Sequence, residues 1–363
     1  MPKKIVIAAG GTAGHVVPAL AVADVLRAEG ADVVFVGGDR SEAELVPAAG
    51  YELHKLVVEG VSRTNPLRAA RALARAGRAV MRSRRLLAEL NPAVVMGGGG
   101  YASAPVGLAA AMARVPLVLT EADSHLGLAN RLLAPFARRV CLAFPIPGRE
   151  GGRFRVTGRP IPAPVTDREA ARRSFGLPPS EYCVLVYGGS LGSRSINQAA
   201  LRAFADADFR VLHVAGRRDF DSLVSPGPHY DLRPYLDGLG EALAASDLVV
   251  ARAGGSLFEI AAHGCPAVLI PYPGAAADHQ TANARWMAGA GAAVVIVDDE
   301  LMPMRLAETV SELLHDPDRL EAMAKASATL ARPGAARAVA TQVLAAAGDD
   351  RAQATRPRNQ PSG

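Results

Sequence analysis

The chain has 363 residues, half of them apolar, with a formal charge of +5 and an isoelectric point near 9.3. That is enough chain to bury two cores, and it excludes a wholly disordered protein. Three cysteines, Cys141, Cys183 and Cys265, are scattered, odd in number and without metal-ligand spacing, which excludes a disulfide framework and suits small buried residues of a reducing compartment. Lysine stands only at Lys3, Lys4, Lys55 and Lys325, so arginine supplies nearly all the positive charge.

The chain opens on KKIVIAAG, strand-like almost from the first residue, so no secretory leader is expected. KIVIAA and DVVFVG are runs apolar on both faces, the pattern of strands covered on both sides. Next comes PLRAARALARAGRAVMRSRRLLAEL (66–90), whose arginines fall three and four apart. That is the beat of one helix face, so Arg68, Arg71, Arg75, Arg78, Arg82 and Arg85 should form a cationic stripe. AVVMGGGGYASAPVGLAAAMA (93–113) is uncharged for long enough to raise a membrane span. Its four consecutive glycines and Pro105 make strand, loop, then helix the better reading. PLVLTE and RRVCLAF complete the first half, and FPIPGREGGRFRVTGRPIPAPV (144–165), rich in Pro and Gly, reads as a linker. YCVLVYGG, RVLHVAG, DLVVARAG, PAVLIPY and AAVVIV are the strands of a second half, again alternating with helical segments.

The expected architecture is therefore α/β, with two parallel-sheet domains of the doubly wound kind over 1–158 and 159–346. The polar segment 347–363 is expected to be a disordered tail. KIVIAAGGTAGHVVPAL and YCVLVYGGSLGSRSINQAAL echo each other as strand, Gly-rich turn and helix. Two such domains facing one another make a cleft, and small-molecule sites favour domain interfaces and strand carboxyl ends.

Five motifs are candidates for chemistry. In GGTAGH, glycines permit a tight turn that brings main-chain N–H groups and a helix N-terminus toward an anion. It is neither the dinucleotide fingerprint nor a P-loop. His15 should stand at the helix start, with a capping or a chemical role equally open. In GGGGYASAP, four glycines do not improve a core. Close approach of a bulky anionic ligand is the more economical reading, with Tyr101 and Ser103 presenting hydroxyls. GGSLGSRSIN puts Ser190, Gly192 and Ser193 at another helix start, where their donors suit a diphosphate without a metal. ARAGGSLFEIAAHGCP places Glu259 one turn into a helix, where it either complements the dipole or grips vicinal ribose hydroxyls. PYPGAAADHQTANA holds Asp278, His279 and Gln280. No third ligand is spaced to make a metal site with Asp-His, whereas the Gln280 amide suits sugar hydroxyls.

Together and in this order, the five motifs make the chain resemble the MurG family of bacterial UDP-GlcNAc transferases, from about residue 3 to residue 345. The resemblance implies the GT-B fold: two Rossmann-like domains, an interdomain nucleotide-sugar site, and a last helix packing back on the first domain. Residue by residue, it implies that Thr12, Ala13, Gly14 and His15 line the cleft near sugar and acceptor. Tyr101, Ser103, Glu121 and Asn130 fall on the acceptor side, with Tyr101 in the loop that meets the lipid-linked diphosphate. Ser190 contacts the donor diphosphate, and Asn197 supports that loop. Leu236 offers main-chain groups to uracil, Arg252 opens the nucleotide loop, Glu259 holds the ribose and Gln280 reads the GlcNAc hydroxyls. The sequence departs from the family in three places. The family's HEQN appears as TEAD, keeping Glu121 but placing Asp123 where Asn is usual, near donor and acceptor. The Arg common after the family's Gly-Asn-Pro is here Pro162. The stretch from Arg252 to Glu259 is one residue shorter.

The implied reaction is an inverting transfer of GlcNAc from UDP-GlcNAc to the C4 hydroxyl of undecaprenyl-pyrophosphoryl-MurNAc-pentapeptide, a step of peptidoglycan synthesis and so of cell-wall biogenesis, shape and division. It needs a base, for which His15 is the first candidate and Asp123 the second, and no metal or other cofactor is implied. The implied location is peripheral, at the cytoplasmic face of the plasma membrane, with the arginine stripe toward its anionic inner face at about 1 kcal/mol per arginine. Rival readings are another GT-B enzyme, either a natural-product glycosyltransferase or a UDP-GlcNAc 2-epimerase, and a basic nucleic-acid-binding protein. The last is disfavoured because aromatics are 5% of the chain, none falls in the stripe, and no DNA-binding motif is evident.

Overall fold

A computed structural model describes residues 2–56, 66–189, 191–275 and 278–348, the side chains of 66–75 excepted. Ser190 and the side chains of Arg68, Arg71 and Arg75 thus lie outside the described residues, as does the expected tail beyond Gly348. The chain divides into two units, one of Met1–Ile161 with Gly334–Gly363, the other of Pro162–Pro333.

The first unit runs β1 (Lys4–Ala8), α1 (Ala13–Ala28), β2 (Asp32–Gly37), α2 (Ser41–Ala48), β3 (Glu52–Lys55), α3 (Pro66–Leu90), β4 (Val94–Gly97), α4 (Ser103–Ala113), β5 (Leu117–Glu121), α5 (Leu128–Leu133), β6 (Arg139–Leu142) and β7 (Phe154–Val156). Its seven strands are all parallel, in the order β3-β2-β1-β4-β5-β6-β7. The second unit runs α6 (Arg168–Ser174), β8 (Cys183–Tyr187), α7 (Arg194–Ala203), β9 (Arg210–Val214), β10 (Tyr230–Arg233), α8 (Leu239–Ala245), β11 (Leu248–Ala251), α9 (Leu257–Ala262), β12 (Ala267–Leu269), α10 (His279–Gly289), β13 (Ala293–Val295), α11 (Pro303–Leu314) and α12 (Pro317–Thr329). Its six strands, also parallel, are ordered β10-β9-β8-β11-β12-β13.

Strand alternation explains why the central runs are apolar throughout. Ile5 and Ile7 of β1 enter one core with Val16 and Leu26 of α1, while Val6 and Ala8 enter another with Val106 and Ala110 of α4. The last helix, α13 (Ala335–Gly348), adds Val339, Val343 and Ala346 to the α1 side, and so belongs to the first unit although it follows the second in sequence. In β8, Val184 and Val186 face a core with Ile196 of α7 and Leu306 of α11, and Leu185 and Tyr187 face one with Leu257 of α9. All three cysteines are free and buried; burial pushes the Cys141 and Cys265 thiols up to about 12 and that of Cys183 to about 11, which leaves them inert.

Three strands are absent from the sequence reading: β3, β7 and β10, which read Glu-Leu-His-Lys, Phe-Arg-Val and Tyr-Asp-Leu-Arg. Each is a sheet edge, so none needs a continuous apolar run. The segment 144–165 is accordingly not a plain linker. It carries β7, paired to β6 from Val140 opposite Phe154 to Leu142 opposite Val156. The Arg153 guanidinium reaches back to the carbonyls of Ala134 and Pro135, both at 2.5 Å. In 93–113 the chain makes β4, a turn and α4, and among the described residues no helix is long and apolar enough to cross a membrane.

A polar triad is sealed inside the second unit. His213 of β9 is fully buried, with Nδ1 2.7 Å from the Tyr230 hydroxyl and Nε2 3.0 Å from Asn197 Oδ1. Burial lowers its pKa from 6.5 to about 4. Between those values the unfolded chain binds a proton that the folded chain does not, so stability falls as the pH drops through that window, by up to about 3 kcal/mol. Urea midpoints for the wild type and His213→Gln, compared near pH 7 and about pH 4.5, should show a smaller drop in the variant. Equal drops would remove His213 as the cause.

Candidate functional site

In the first sheet the chain leaves β1 for β2 and later returns to β4 on the other side of β1. The turns after β1 and β4 therefore part at the carboxyl edge, where open α/β sheets bind ligands. The second sheet repeats this with β8 and β11. GGTAGH and GGGGYASAP occupy the first pair of turns, GGSLGSRSIN and ARAGGSLFEIAAHGCP the second. Each unit thus carries a half-site of paired glycine-rich turns.

In the first unit a buried carboxylate organises the half-site. Glu42, at the start of α2 and 0% exposed, accepts hydrogen bonds from Gly11 N at 2.9 Å and Gly38 N at 2.8 Å. It also accepts one from the Tyr101 hydroxyl. Burial alone would raise its pKa; the Tyr101 hydroxyl and the main-chain donors outweigh that and hold it below the usual carboxylate value. The same contact, after burial, pushes the Tyr101 phenol up to about 12. The Tyr101 hydroxyl thus donates within the protein, and its ring lies under the Arg40 guanidinium at 5.1 Å. Ser103 likewise bonds within the protein. It is buried, donates to Ala8 O and accepts from Gly99 N, both at 2.8 Å, and caps the turn from within.

Packing alone accounts for two of the four glycines. A Cβ on Gly100 would lie 1.6 Å from Gly10 O, and one on Gly99 would lie 2.7 Å from His15 Nδ1. At these two positions the neighbouring turn and the His15 ring already demand glycine. Gly99 and Gly100 have φ of +95° and +75°, a region that favours glycine independently.

His15 lies in the first turn of α1, partly buried. Burial and then the Arg159 charge lower its pKa, against an opposing contribution from Asp123, so the imidazole is neutral at pH 7. Thr12, Ala13 and Gly14 form the turn and helix start before it, with Thr12 and Gly14 exposed. Asp123 follows β5 in a loop built by Glu121, which accepts from Asp123 N at 3.2 Å, Gly127 N at 2.8 Å and Asn130 Nδ2 at 2.9 Å. Glu121 and Asn130 are both buried and shape this loop from within. Burial raises the Glu121 pKa over the opposing hydrogen bonds.

In the second unit the organiser is a cation. Arg252, at the end of β11, donates to Ser193 Oγ at 3.1 Å and Ser195 Oγ at 2.7 Å in the turn after β8, and to Ile270 O and Pro271 O after β12 at 3.2 and 3.1 Å. It pairs with Asp298, after β13, at 2.5 Å. Buried and engaged with these partners, Arg252 ties four loops together. Asn197 donates to Ala215 O at 2.9 Å, and that carbonyl is where a Cβ on Gly192 would collide, at 2.1 Å. Asn197 thus secures the loop that backs the Gly192 turn.

Partly exposed Glu259 lies in the first turn of α9. Gln280, in the first turn of α10, accepts from Tyr272 N at 3.0 Å, and its Nε2 faces Gly254. Leu236 packs on the second unit's core from the loop after β10. The sequence reading passed over Glu42, Arg159, Ser195 and Asp298. Glu42 and Asp298 read as ordinary helix-start and loop acids, and Arg159 as one more arginine of a Pro/Gly-rich stretch.

Two doubly wound parallel sheets with glycine-rich turns at both carboxyl edges define an α/β protein of the two-domain, Rossmann-like class. Residues 5–142 match the glycosyltransferase family 28 N-terminal domain and residues 183–339 the glycosyltransferase family 28 C-terminal domain. The chain belongs to glycosyltransferase family 28. It is 41% identical over 94% of its length to the UDP-N-acetylglucosamine–N-acetylmuramyl-(pentapeptide) pyrophosphoryl-undecaprenol N-acetylglucosamine transferase of Moorella thermoacetica, covering 98% of that protein. The protein of the same name from Salinibacter ruber is 40% identical, over 94% of this chain and 96% of its own. Among solved structures, Acinetobacter baumannii MurG superposes with a TM-score of 0.76 at 27% identity, over 95% of this chain and all of that one. A putative UDP-N-acetylglucosamine 2-epimerase from Listeria monocytogenes shares the fold at a TM-score of 0.69 and 16% identity, over the full length of both chains.

The Glu42 arrangement has a measurable consequence. Glu42→Ala leaves two buried main-chain donors and a phenol without their acceptor, and should cost about 3 kcal/mol in urea unfolding. Adding Tyr101→Phe to that variant should cost little more, because its partner is already gone. Fully additive losses would mean that the two side chains act separately.

Proposed function

We propose that the chain transfers N-acetylglucosamine from UDP-GlcNAc to the C4 hydroxyl of undecaprenyl-pyrophosphoryl-MurNAc-pentapeptide, with inversion at the sugar carbon. The observation that carries this reading is identity of 40–41% to transferases named for that reaction, spanning 94% of the chain and both half-sites. The hydroxyl oxygen forms a bond to C1 as the C1–O bond to the diphosphate breaks, and the hydroxyl proton passes to a base. His15 is that base: it is neutral at pH 7 and stands at the opening of the first half-site. Asp123, whose charge favours the protonated imidazole, stabilises it once the proton has moved.

On the donor side, the N-terminus of α7 with Ser190 and Gly192 receives the diphosphate, and its aligned main-chain donors stabilise the charge that develops on the leaving group. Leu236 offers main-chain groups to uracil, Glu259 takes the ribose hydroxyls, and the Gln280 Nε2 donor, free of the Tyr272 contact made by its oxygen, reads the sugar. Thr12, Ala13 and Gly14 line the site near the donor sugar and the acceptor, with the Tyr101 ring on the acceptor side.

The acceptor is a lipid, and one side of the first unit is suited to a membrane surface. The exposed apolar residues Leu128 (66%), Leu132 (65%) and Phe136 (61%) lie on and just after α5, with Met112 on the adjoining α4. Arg78, Arg82 and Arg85 are exposed on α3, which packs on α4. The inward residues of α3, Ala79, Ser83 and Leu87, repeat every four positions, which turns the arginines outward. Apolar groups beside cations favour reversible docking on an anionic bilayer.

Incubation of the protein with radiolabelled UDP-GlcNAc and a lipid-linked MurNAc-pentapeptide analogue should move label into the lipid fraction. Label conversion with donor alone would point to an epimerase instead. His15→Ala should lower kcat by at least about 100-fold while leaving the KM for UDP-GlcNAc near its wild-type value. Because the His15 pKa is lowered, the acid limb of kcat/KM should lie below pH 6.5, with activity lost as the pH falls through it. Reversing Arg78, Arg82 and Arg85 to Glu should abolish binding to vesicles rich in anionic lipid without lowering turnover of a soluble acceptor analogue. Unchanged vesicle binding would refute the docking surface.

A further inference from the structure

Arg159 is a residue for which neither the motifs nor the relatives supply a role. It follows β7, and its guanidinium is buried, the residue being 8% exposed. A guanidinium leaves water only where its donors find partners. Here they cross the unit: Nη2 donates to Gly14 O, 145 residues away in sequence, and Nη1 reaches Ala122 O at 3.4 Å. Those two carbonyls belong to the residues immediately before His15 and Asp123. A planar fork whose two arms hold the peptide units preceding a base and its neighbouring carboxylate sets the separation of that pair. The sequence bears on this too. Where the resembling family has Arg after Gly-Asn-Pro, this chain has Pro162, and an arginine stands three positions earlier, in the Asn place.

We propose that Arg159 is a positioning residue of the acceptor half-site, its guanidinium stapling the turn at Gly14 to the loop at Ala122 and thereby holding His15 against Asp123. It touches neither substrate and acts through the two residues whose backbones it holds. The inference rests on the reading of His15 as the base, but its structural content is independent of that reading. Several charged or titratable groups stand on the elements at the carboxyl edge of the first sheet, where His15 lies. The β5 loop carries Asp123, Glu121 and His125, the β4 turn Tyr101, the β2 loop and α2 Asp39, Arg40 and Glu42, and the segment after β7 Arg159. Of these, Arg159 and Asp123 are the two whose charges bear on the imidazole, in opposite directions.

The test is a titration of the His15 imidazole by NMR in the full-length protein, its signal assigned from a His15→Gln spectrum, together with steady-state kinetics on the same variants. In Arg159→Gln the guanidinium charge is gone, so the His15 midpoint should rise toward 6.5, and kcat should fall by about tenfold or more with the KM for UDP-GlcNAc unchanged. An unmoved midpoint in folded Arg159→Gln overturns the proposal, whatever the loss of kcat, because a purely structural contact would not shift the titration. If the midpoint rises while the acid limb of kcat/KM stays in place, Arg159 does hold and tune His15, and His15 is not the base. Arg159→Lys keeps the charge but lacks the fork. It should leave the midpoint at the wild-type value and lower kcat by about tenfold, since an ammonium on one stem cannot hold both carbonyls. Should Arg159→Gln fail to fold, an Arg159→Lys variant with wild-type kcat overturns the proposal, and a tenfold loss at constant KM upholds it.

Discussion

The carboxyl edge of a parallel sheet gathers turns whose main-chain groups point at one another, and those groups must find partners once they are out of water. Both units meet that constraint with one buried charge. In the first, tight glycine turns leave N–H groups inward, and an anion, Glu42, collects those of Gly11 and Gly38. In the second, the turns after β12 leave carbonyls inward, and a cation, Arg252, collects those of Ile270 and Pro271. The opposite signs follow from which end of the peptide dipole each set of turns presents. Neither charge is free to meet a ligand, and both are what makes the ligand-facing surface stiff.

That stiffness depends on glycine in a specific way. Gly100 can pass Gly10 O, and Gly192 can pass Ala215 O, because neither carries a Cβ; both also have positive φ, +75° and +74°. The glycines thus serve loop-to-loop contact first. The turns are therefore fixed by the protein itself, before any ligand arrives. A substitution there would disturb the turn pair before it disturbed any ligand.

Paired parallel-sheet domains serve many chemistries, so the architecture alone does not select a reaction. What narrows it is the polar dressing of the turns. The first half-site holds an imidazole kept neutral by burial and by a buried guanidinium, beside a carboxylate. Among the described residues, the glycine turn of the second carries no such base, and a helix start, a first-turn acid and an amide stand at that edge. That asymmetry is what the proposed transfer requires of an acceptor side and a donor side.

Much of this was legible in the sequence. Central strands are apolar on both faces because helices cover both sides, so β1, β2, β4, β5, β8, β9, β11 and β12 could be read from their Val/Ile runs, and each glycine-rich turn followed from its place after a strand. The edge strands β3, β7 and β10 could not, since a strand paired on one side needs no such run. The stripe of Arg78, Arg82 and Arg85 was legible from helical period alone, because exposure on a helix follows from spacing. The partners of individual polar side chains were not legible. Ser103, Glu121 and Asn130 carry the same donors and acceptors whether they face a ligand or a neighbouring loop, and only the fold shows that they face loops. Glu42, Arg159 and Asp298 stand 59, 145 and 46 residues from partners they hold, Tyr101, Gly14 and Arg252, and nothing local in the chain marks such pairs. The amino-acid order alone determined where the turns and helices fall, through periodicity and backbone preference. Which buried charge organises each set of turns was decided by long-range packing, because the desolvation that makes those pairings obligatory exists only once the chain has closed around them.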